Sequence, residues 1–148
     1  LRRLPFVGYA CYKARHIFVD KSSPRKVKAT IDFARKTLQG GTSLVVFPEG
    51  ARTFTGHLGV FRKGAFQLAD DLQLPIVPMT INGSFDILPR TKGFNFVRHH
   101  KLQLLIHDPI YPTSRSAEDI LAIKDQAYDA IMRGLPPHYQ GYVKNDDQ

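Results

Sequence analysis

Residues 42–52 read TSLVVFPEGAR, an apolar run that leads directly into charged and glycine residues. The first six residues are mostly β-branched or apolar, which is typical of a strand buried on both faces. Pro48 ends this run, and residues 48–60 hold three glycines among polar side chains, which predicts a loop. We therefore expect a buried strand that delivers a ligand-binding loop at its carboxyl end.

Helices and strands alternate on both sides of this stretch. Ser23 and Pro24 predict a helix start, and apolar residues at helical spacing continue to Gly40-Gly41. The other expected elements are strands over 16–20, 76–81 and 101–106, a helix over 62–72, and a helix that follows Ser116 and ends at Arg133-Gly134. This alternation predicts an α/β fold with a mixed, partly parallel sheet flanked by helices. We expect one domain over residues 1–135 and a loose carboxyl-terminal tail over 136–148.

The positive charge of the chain is concentrated in its first quarter. The 148 residues include 21 Lys+Arg and 13 Asp+Glu, a formal net charge of +8. Residues 1–36 hold ten of the basic and two of the acidic side chains, so the remainder is neutral. Such clustering indicates a local anionic partner: a membrane surface, a phosphorylated ligand or nucleic acid. A solvated basic face on the helix that begins at Pro24 would also explain part of it.

Other features of the sequence limit the setting. Cys11 is the only cysteine, which excludes an internal disulfide and fits a reducing compartment. The sequence contains no run of about 18 apolar residues, the length that would predict a membrane span. Leu1 to Tyr12 can be read as a packed helical turn or as an interfacial segment. Because the chain begins with Leu1, we expect it to be a fragment of a longer protein.

The loop carries side chains suited to a hydroxylated phosphate ester. Arg52 can grip a phosphate, Glu49 can accept from a hydroxyl or orient the arginine, and Gly50 lets a ligand approach the backbone. Arg62 and Lys63 begin the next helix, where cations and unpaired N–H groups form an anion site. A surface ion pair at Glu49 and Arg52, and ordinary flanking charges at the helix, are the structural alternatives.

The order of motifs resembles the glycerolipid acyltransferases of the 1-acyl-sn-glycerol-3-phosphate (lysophosphatidic acid) type. The resemblance covers most of the chain in the expected order. It rests on LPFVG at 4–8, IFVDK at 17–21, FPEGAR at 47–52, FRKGA at 61–65, LPIVP at 74–78, NGSFDILP at 82–89 and, more weakly, DPI at 108–110. Several such strings in register are far more specific than any one of them.

The resemblance implies roles for individual residues. FPEGAR corresponds to the acceptor-binding block of the family, with Ala51 in place of the usual threonine. Lys21 takes a position that is more often arginine, beside the acceptor phosphate, and supplies a point charge in place of a bidentate fork. The expected substrate-binding residues are Lys21, Glu49, Gly50, Arg52, Arg62 and Lys63, of which Arg62 or Lys63 would meet the phosphate or anionic groups of the thioester carrier. LPIVP at 74–78 resembles a structural block in which prolines frame a strand.

The catalytic signature of the family is absent from this sequence. In that signature an Asn-His, four residues and an Asp place a histidine as general base and an aspartate that orients it. None of the six histidines begins this spacing. His16 and Asp20 would lie about 13 Å apart on a strand, and His57 is the one alternative base, though an exposed loop histidine is the simpler interpretation. We expect the His/Asp pair upstream of Leu1, and hence a fragment that is inactive alone.

The implied reaction is transfer of a fatty acyl group to the 2-hydroxyl of 1-acyl-sn-glycerol 3-phosphate, which gives phosphatidic acid in phospholipid biosynthesis. The donor would be acyl-CoA or acyl carrier protein, with no metal or redox cofactor. The implied partners are lysophosphatidic acid, the acyl donor and an anionic membrane surface, at the cytoplasmic face of the membrane, with peripheral attachment or an anchor outside this chain. The alternatives are a noncatalytic lipid-phosphate or membrane-surface module and a basic nucleic-acid-binding domain.

Overall fold

The computed structural model describes residues 6–14, 16–17, 23–89 and 99–142. The chain divides into two compact units, with the boundary between Val45 and Val46. The strand expected over 16–20 falls mostly on residues outside the described ranges. Of the helices that are described, none combines the length and the apolar character needed to cross a bilayer.

The first unit contains two helices, α1 (Val7–Lys13) and α2 (Pro24–Gln39). Within the segment expected to be a helical turn or an interfacial stretch, the described residues 7–13 are helical. α2 begins as predicted, because the Ser23 side chain accepts the Lys26 N–H at 3.4 Å and Pro24 occupies the first turn. Gly40 ends it, and Ala34 on its apolar stripe is buried. The predicted helix is therefore confirmed at both ends.

The strand predicted over residues 42–47 is wrong. This segment has no regular secondary structure and pairs with no strand in the described parts of the chain. Val45, Val46 and Phe47 are 67%, 46% and 72% exposed. An apolar, β-branched run indicates a preference for extended backbone, but a strand also needs a neighbour that completes its hydrogen bonds.

The second unit is built around a core that joins the loop to two helices. Its elements are α3 (Gly64–Leu72), β1 (Met79–Asn82), α4 (Ser84–Ile87), β2 (Gln103–Ile106), α5 (Ala117–Gly134) and a 3-10 helix (Pro137–Tyr139). Leu58 and Phe61 from the loop pack with Phe66 of α3 and with Ile123 and Ala127 of α5. The Phe61 ring stacks on Phe66 at a centroid distance of 6.2 Å. The end of the loop is therefore part of the core.

The two strands pair antiparallel, with Met79 opposite Ile106 and Asn82 opposite Gln103. The predicted mixture of helices and strands is present, but the parallel pairing is not confirmed for any strand the structure describes. Strand direction depends on which segments meet across the chain, and local periodicity carries no information on that. Both strands are also shorter than predicted, since Ile76 forms only an isolated bridge with Ile110.

α5 is capped as its sequence predicted and then holds the sheet. The Ser116 side chain accepts the Asp119 N–H at 3.1 Å. Near the other end of α5, the Thr80 hydroxyl donates to the Ile131 carbonyl at 3.1 Å and the Asn82 amide donates to the Gly134 carbonyl at 3.0 Å. Thr80 is 1% exposed, so this bond satisfies a hydroxyl that burial would otherwise penalise.

Two buried carboxyl groups meet between α3 and α5. Asp70 is 1% exposed and Asp119 is 8% exposed. Asp119 accepts from the N–H groups of Thr113 and Ser114 at 2.8 and 3.0 Å and from the Thr113 hydroxyl, and these bonds lower its pKa. Burial, followed by the hydrogen bond to Asp119, raises the pKa of Asp70. Because these two pKa shifts are opposite, Asp70 retains its proton to a higher pH than Asp119 does.

The Asp70→Asn variant is expected to flatten the pH dependence of stability. Because the folded-state pKa of Asp70 is raised, its contribution is present at low pH and is lost as pH rises through that pKa. Asparagine keeps a donor toward Asp119 and does not titrate. Urea unfolding between pH 4 and pH 8 measures the effect, with Asp125→Asn, an exposed acid of α5, as control. The Asp125→Asn control should keep the pH slope of the wild type. If Asp70→Asn kept that slope as well, this assignment would be contradicted.

Nearby charges add to the effect of burial on the pKa of Asp70. The negative charges of Asp119 and Asp71 raise the pKa of Asp70 further, while Arg115 opposes them. Asp119 acts in the other direction, because its lowered pKa gives stability that is present above its unfolded value and is lost as pH falls through the folded one. The region above the ordinary aspartate pKa therefore reports on Asp70, and the acidic end reports on Asp119.

Candidate functional site

The loop that follows Phe47 is shaped by a turn at Gly50. The Gly50 N–H donates to the Phe47 carbonyl at 3.1 Å, and Gly50 has a φ of +75°, which residues with a Cβ rarely adopt. A Cβ at this position would also lie 2.8 Å from Nε of Arg62. Glycine is therefore required both by the backbone conformation and by the close approach of Arg62.

Glu49 is fixed by the far end of the same loop. Its Oε2 accepts the Gly59 N–H at 2.7 Å, a bond that spans ten residues and closes the loop. Burial raises the pKa of Glu49, and the hydrogen bond from Gly59 partly opposes that shift. Burial, and then the negative charge of Glu49, raise the pKa of Tyr128 on α5. The carboxylate thus lies close to the core.

Arg62 makes the second closure of the loop. Its backbone N–H donates to the Pro48 carbonyl at 2.9 Å, and its Nε–H donates to the Glu49 carbonyl at 3.3 Å. A guanidinium has five N–H donors, and this side-chain bond uses one of them. Arg62 is exposed, so the residue supports the loop while its remaining donors lie at the protein surface.

The other predicted site residues are Arg52, Lys63 and Lys21. Arg52 is exposed on the same loop. Lys63 is exposed at the N-cap of α3, where its side chain makes no capping bond, and its carbonyl accepts the Gln67 N–H. Lys21 lies outside the described residues. The structure therefore brings Glu49, Gly50 and Arg62 into direct contact.

The tip of the loop is a hydroxyl-stabilised turn. The Thr55 N–H donates to the Thr53 hydroxyl at 3.1 Å, and the His57 N–H donates to the Thr55 hydroxyl at 3.3 Å. Nδ1 of His57 lies 3.2 Å from the Thr55 carbonyl. In the tautomer that donates this Nδ1–H, Nε2 of His57 carries the lone pair. His57 is half-buried, not the exposed loop histidine expected from the sequence.

Gly59 and Tyr139 are functional candidates that the sequence did not single out. Gly59 was recognised only as a loop glycine, although its N–H holds Glu49. Tyr139 falls within the segment expected to be a loose tail, where the structure has a 3-10 helix over Pro137–Tyr139. The two prolines before this aromatic residue are the signal that could have indicated an ordered segment.

Comparison with known families places these features in context. A family model described as Acyltransferase matches residues 1–82, which is more than half of the chain and includes the loop. The chain belongs to the acyltransferase family. The family relationship inferred from the motifs is therefore confirmed.

Individual acyltransferases resemble the chain over most of its length. The chloroplastic 1-acyl-sn-glycerol-3-phosphate acyltransferase BAT2 of Brassica napus is 32% identical over 89% of this chain and 37% of its own length. A probable 1-acyl-sn-glycerol-3-phosphate acyltransferase of Mycoplasma pneumoniae is 33% identical over 84% of this chain and 48% of its own. The chain spans less than half the length of these two curated relatives.

The fold also matches a solved acyltransferase. The crystal structure of the 1-acyl-sn-glycerophosphate (LPA) acyltransferase PlsC from Thermotoga maritima aligns with a TM-score of 0.72 and 26% identity, over 90% of this chain and 52% of that one. A mixed helix and strand architecture is therefore shared with this enzyme.

The Gly50→Ala variant is expected to destabilise the second unit more than a comparable change elsewhere. Gly141→Ala is the matched control, since Gly141 has a φ of +91° with no atom near its Cβ position, and both changes incur a backbone cost of about 1–2 kcal/mol. Only Gly50→Ala also displaces Arg62. Urea unfolding should give the larger loss at Gly50, and the excess should vanish in an Arg62→Ala background. Equal losses of stability at the two glycines would contradict the close packing of Arg62 against Gly50.

Proposed function

We propose that the chain binds the acceptor in an enzyme that transfers a fatty acyl group to the 2-hydroxyl of 1-acyl-sn-glycerol 3-phosphate, giving phosphatidic acid. The acyl donor is a thioester, acyl-CoA or acyl carrier protein. The observation that carries this proposal is the closed loop, in which Glu49 and Arg62 are fixed to the backbone of residues 48–59. The likeness of the chain to named 1-acyl-sn-glycerol-3-phosphate acyltransferases supports the substrate class.

In this proposal the loop positions the acceptor by charge and by rigidity. Arg52 and Lys21 bind the phosphate, and Glu49 accepts from the glycerol. Arg62 holds the loop through its Nε–H and, with Lys63, offers further donors to phosphate or to anionic groups of the thioester carrier. Holding a hydroxyl in line with a thioester removes several kcal/mol from a barrier, on the order of 7–11 in the best-oriented cases.

The chemical step is a direct acyl transfer from sulfur to oxygen. A histidine of an Asn-His-x4-Asp motif, supplied from outside this chain, removes the proton of the 2-hydroxyl as the oxygen attacks the thioester carbonyl. The C–S bond then breaks, the thiolate leaves and takes up the proton that the histidine removed, and the ester remains on the acceptor. The proposed reaction uses no metal and no redox cofactor.

The Arg52→Ala variant of the intact enzyme is expected to raise the acceptor KM by about 10- to 100-fold, since hydrogen bonds to charged groups contribute ~1.5–3 kcal/mol. Hydrolysis of the thioester without acceptor should change little. Arg52→Lys should recover part of the loss, because it keeps the charge but not the fork. Arg133→Ala, an exposed arginine of the same unit, is the control. An unchanged acceptor KM would remove Arg52 from the site.

We propose that the first unit rests on an anionic membrane surface, at the cytoplasmic face of the membrane. α2 exposes the basic residues Arg25, Lys26, Lys28 and Lys36, and α1 exposes the rings of Tyr9 and Tyr12. Aromatic and basic side chains of this kind favour the headgroup region of a bilayer. The same observation favours a noncatalytic lipid-surface module as the second candidate, which would bind vesicles and transfer no acyl group. Binding of duplex nucleic acid is not expected.

The Lys28→Glu variant is expected to weaken binding to vesicles that contain phosphatidylserine. Each basic residue near such a surface contributes about 1 kcal/mol, so a charge reversal corresponds to a loss on the order of tenfold or more. Lys101→Glu, an exposed lysine of the second unit, should have a much smaller effect. Vesicle sedimentation at low and high salt measures both, and the difference should shrink at high salt. Equal effects of the two changes would contradict the assignment to α2.

A further inference from the structure

Tyr139 is tied to a residue 53 positions earlier in the chain. It lies in the 3-10 helix after α5, and its hydroxyl donates a short hydrogen bond to Oδ1 of Asp86 in α4. This bond, followed by burial, raises the pKa of Tyr139 to about 12. The Tyr139 hydroxyl is thus the donor and the Asp86 side chain the acceptor of this bond.

The ring of Tyr139 lies against the tip of the loop. A Cβ on Gly56 would come within 2.5 Å of the ring, and Gly56 has a φ of +83°. The ring meets His57 edge-on at a centroid distance of 6.1 Å and Phe85 at 5.9 Å. The tyrosine thus fits between the loop tip and α4, at a site that only glycine leaves open.

This contact completes the fastening of the loop. Glu49 and Arg62 close its base, through Gly59 and through the carbonyls of Pro48 and Glu49. The hydrogen bonds among Thr53, Thr55 and His57 are local to the tip. The Tyr139 ring, in contact with both His57 and Phe85, joins the tip to α4.

We propose that Tyr139 and Asp86 form a brace that positions the loop tip, and through it the Gly59 amide that holds Glu49. Tyr139 is a positioning residue for acceptor binding and touches no reacting atom in this scheme. The catalytic consequence rests on the proposed acyltransferase function, whereas the effect on the loop does not.

The position of the brace separates it from general stability. The buried core consists of Leu58, Phe61, Phe66, Ile123 and Ala127. Removing the Tyr139 hydroxyl leaves these contacts unchanged. Loss of the brace is therefore expected to appear as local opening of the loop, with little effect on global unfolding.

The test compares Tyr139→Phe, Tyr139→Ala and Asp86→Ala in the intact enzyme, with Tyr142→Phe, an exposed tyrosine nearby, as control. Hydrogen exchange at the Gly59 amide should be about tenfold faster or more in Asp86→Ala and Tyr139→Phe, as expected for loss of a bond to a charged group. Tyr139→Ala should be faster still. Asp86→Asn, which keeps an acceptor oxygen, should restore most of the protection.

Steady-state kinetics give the second readout. In Tyr139→Phe, Tyr139→Ala and Asp86→Ala, which lack the Tyr139–Asp86 bond, the acceptor KM should rise several-fold. The melting temperature and the rate of thioester hydrolysis should change little. Unchanged Gly59 exchange in Tyr139→Ala would overturn the proposal, as would faster exchange with an unchanged acceptor KM. A wild-type enzyme that shows no acyl transfer, but in which the exchange differences hold, would overturn the proposed function and leave the brace standing.

Discussion

The hydrogen bond between the Glu49 carboxylate and the Gly59 N–H is the constraint on which the site depends. It joins residues ten positions apart at 2.7 Å and thereby restricts the conformation of the loop between them. The bond is charge-assisted and half-buried, which makes it stronger than a neutral surface contact. Leu58 directly precedes Gly59, Phe61 follows it by two residues, and both belong to the core. This end of the loop is therefore held by the packing of α3 and α5.

The helices α2, α3 and α5 were predictable because helix signals are local. Ser23 with Pro24, and Ser116 with its acidic first turn, lie within one helical turn of the groups they stabilise. The sheet was not predictable in the same way. The direction of β1 against β2 is decided by a register such as Met79 with Ile106, and the apolar run over 42–47 indicated a strand without indicating a partner.

The site shows the same division between residue type and residue partner. Glu49, Gly50 and Arg62 are three of the six residues that the sequence placed in one substrate site, and they are in contact. The structure adds that Glu49 and Arg62 close the loop. A backbone N–H such as that of Gly59 leaves no trace in a residue pattern. The buried Asp70 was missed because its partner, Asp119, lies on another helix.

The double use of charged residues explains why the loop can be both exposed and rigid. An exposed loop held only by charged side chains would gain little from each pair and would lose entropy on binding a ligand. Here the loop is ordered before any ligand binds. The Arg62 Nε–H donates to the Glu49 carbonyl, and the Tyr139 ring packs against Gly56. A phosphate that arrives at Arg52 then meets a loop that is already shaped, so more of its binding energy is retained for orienting the hydroxyl.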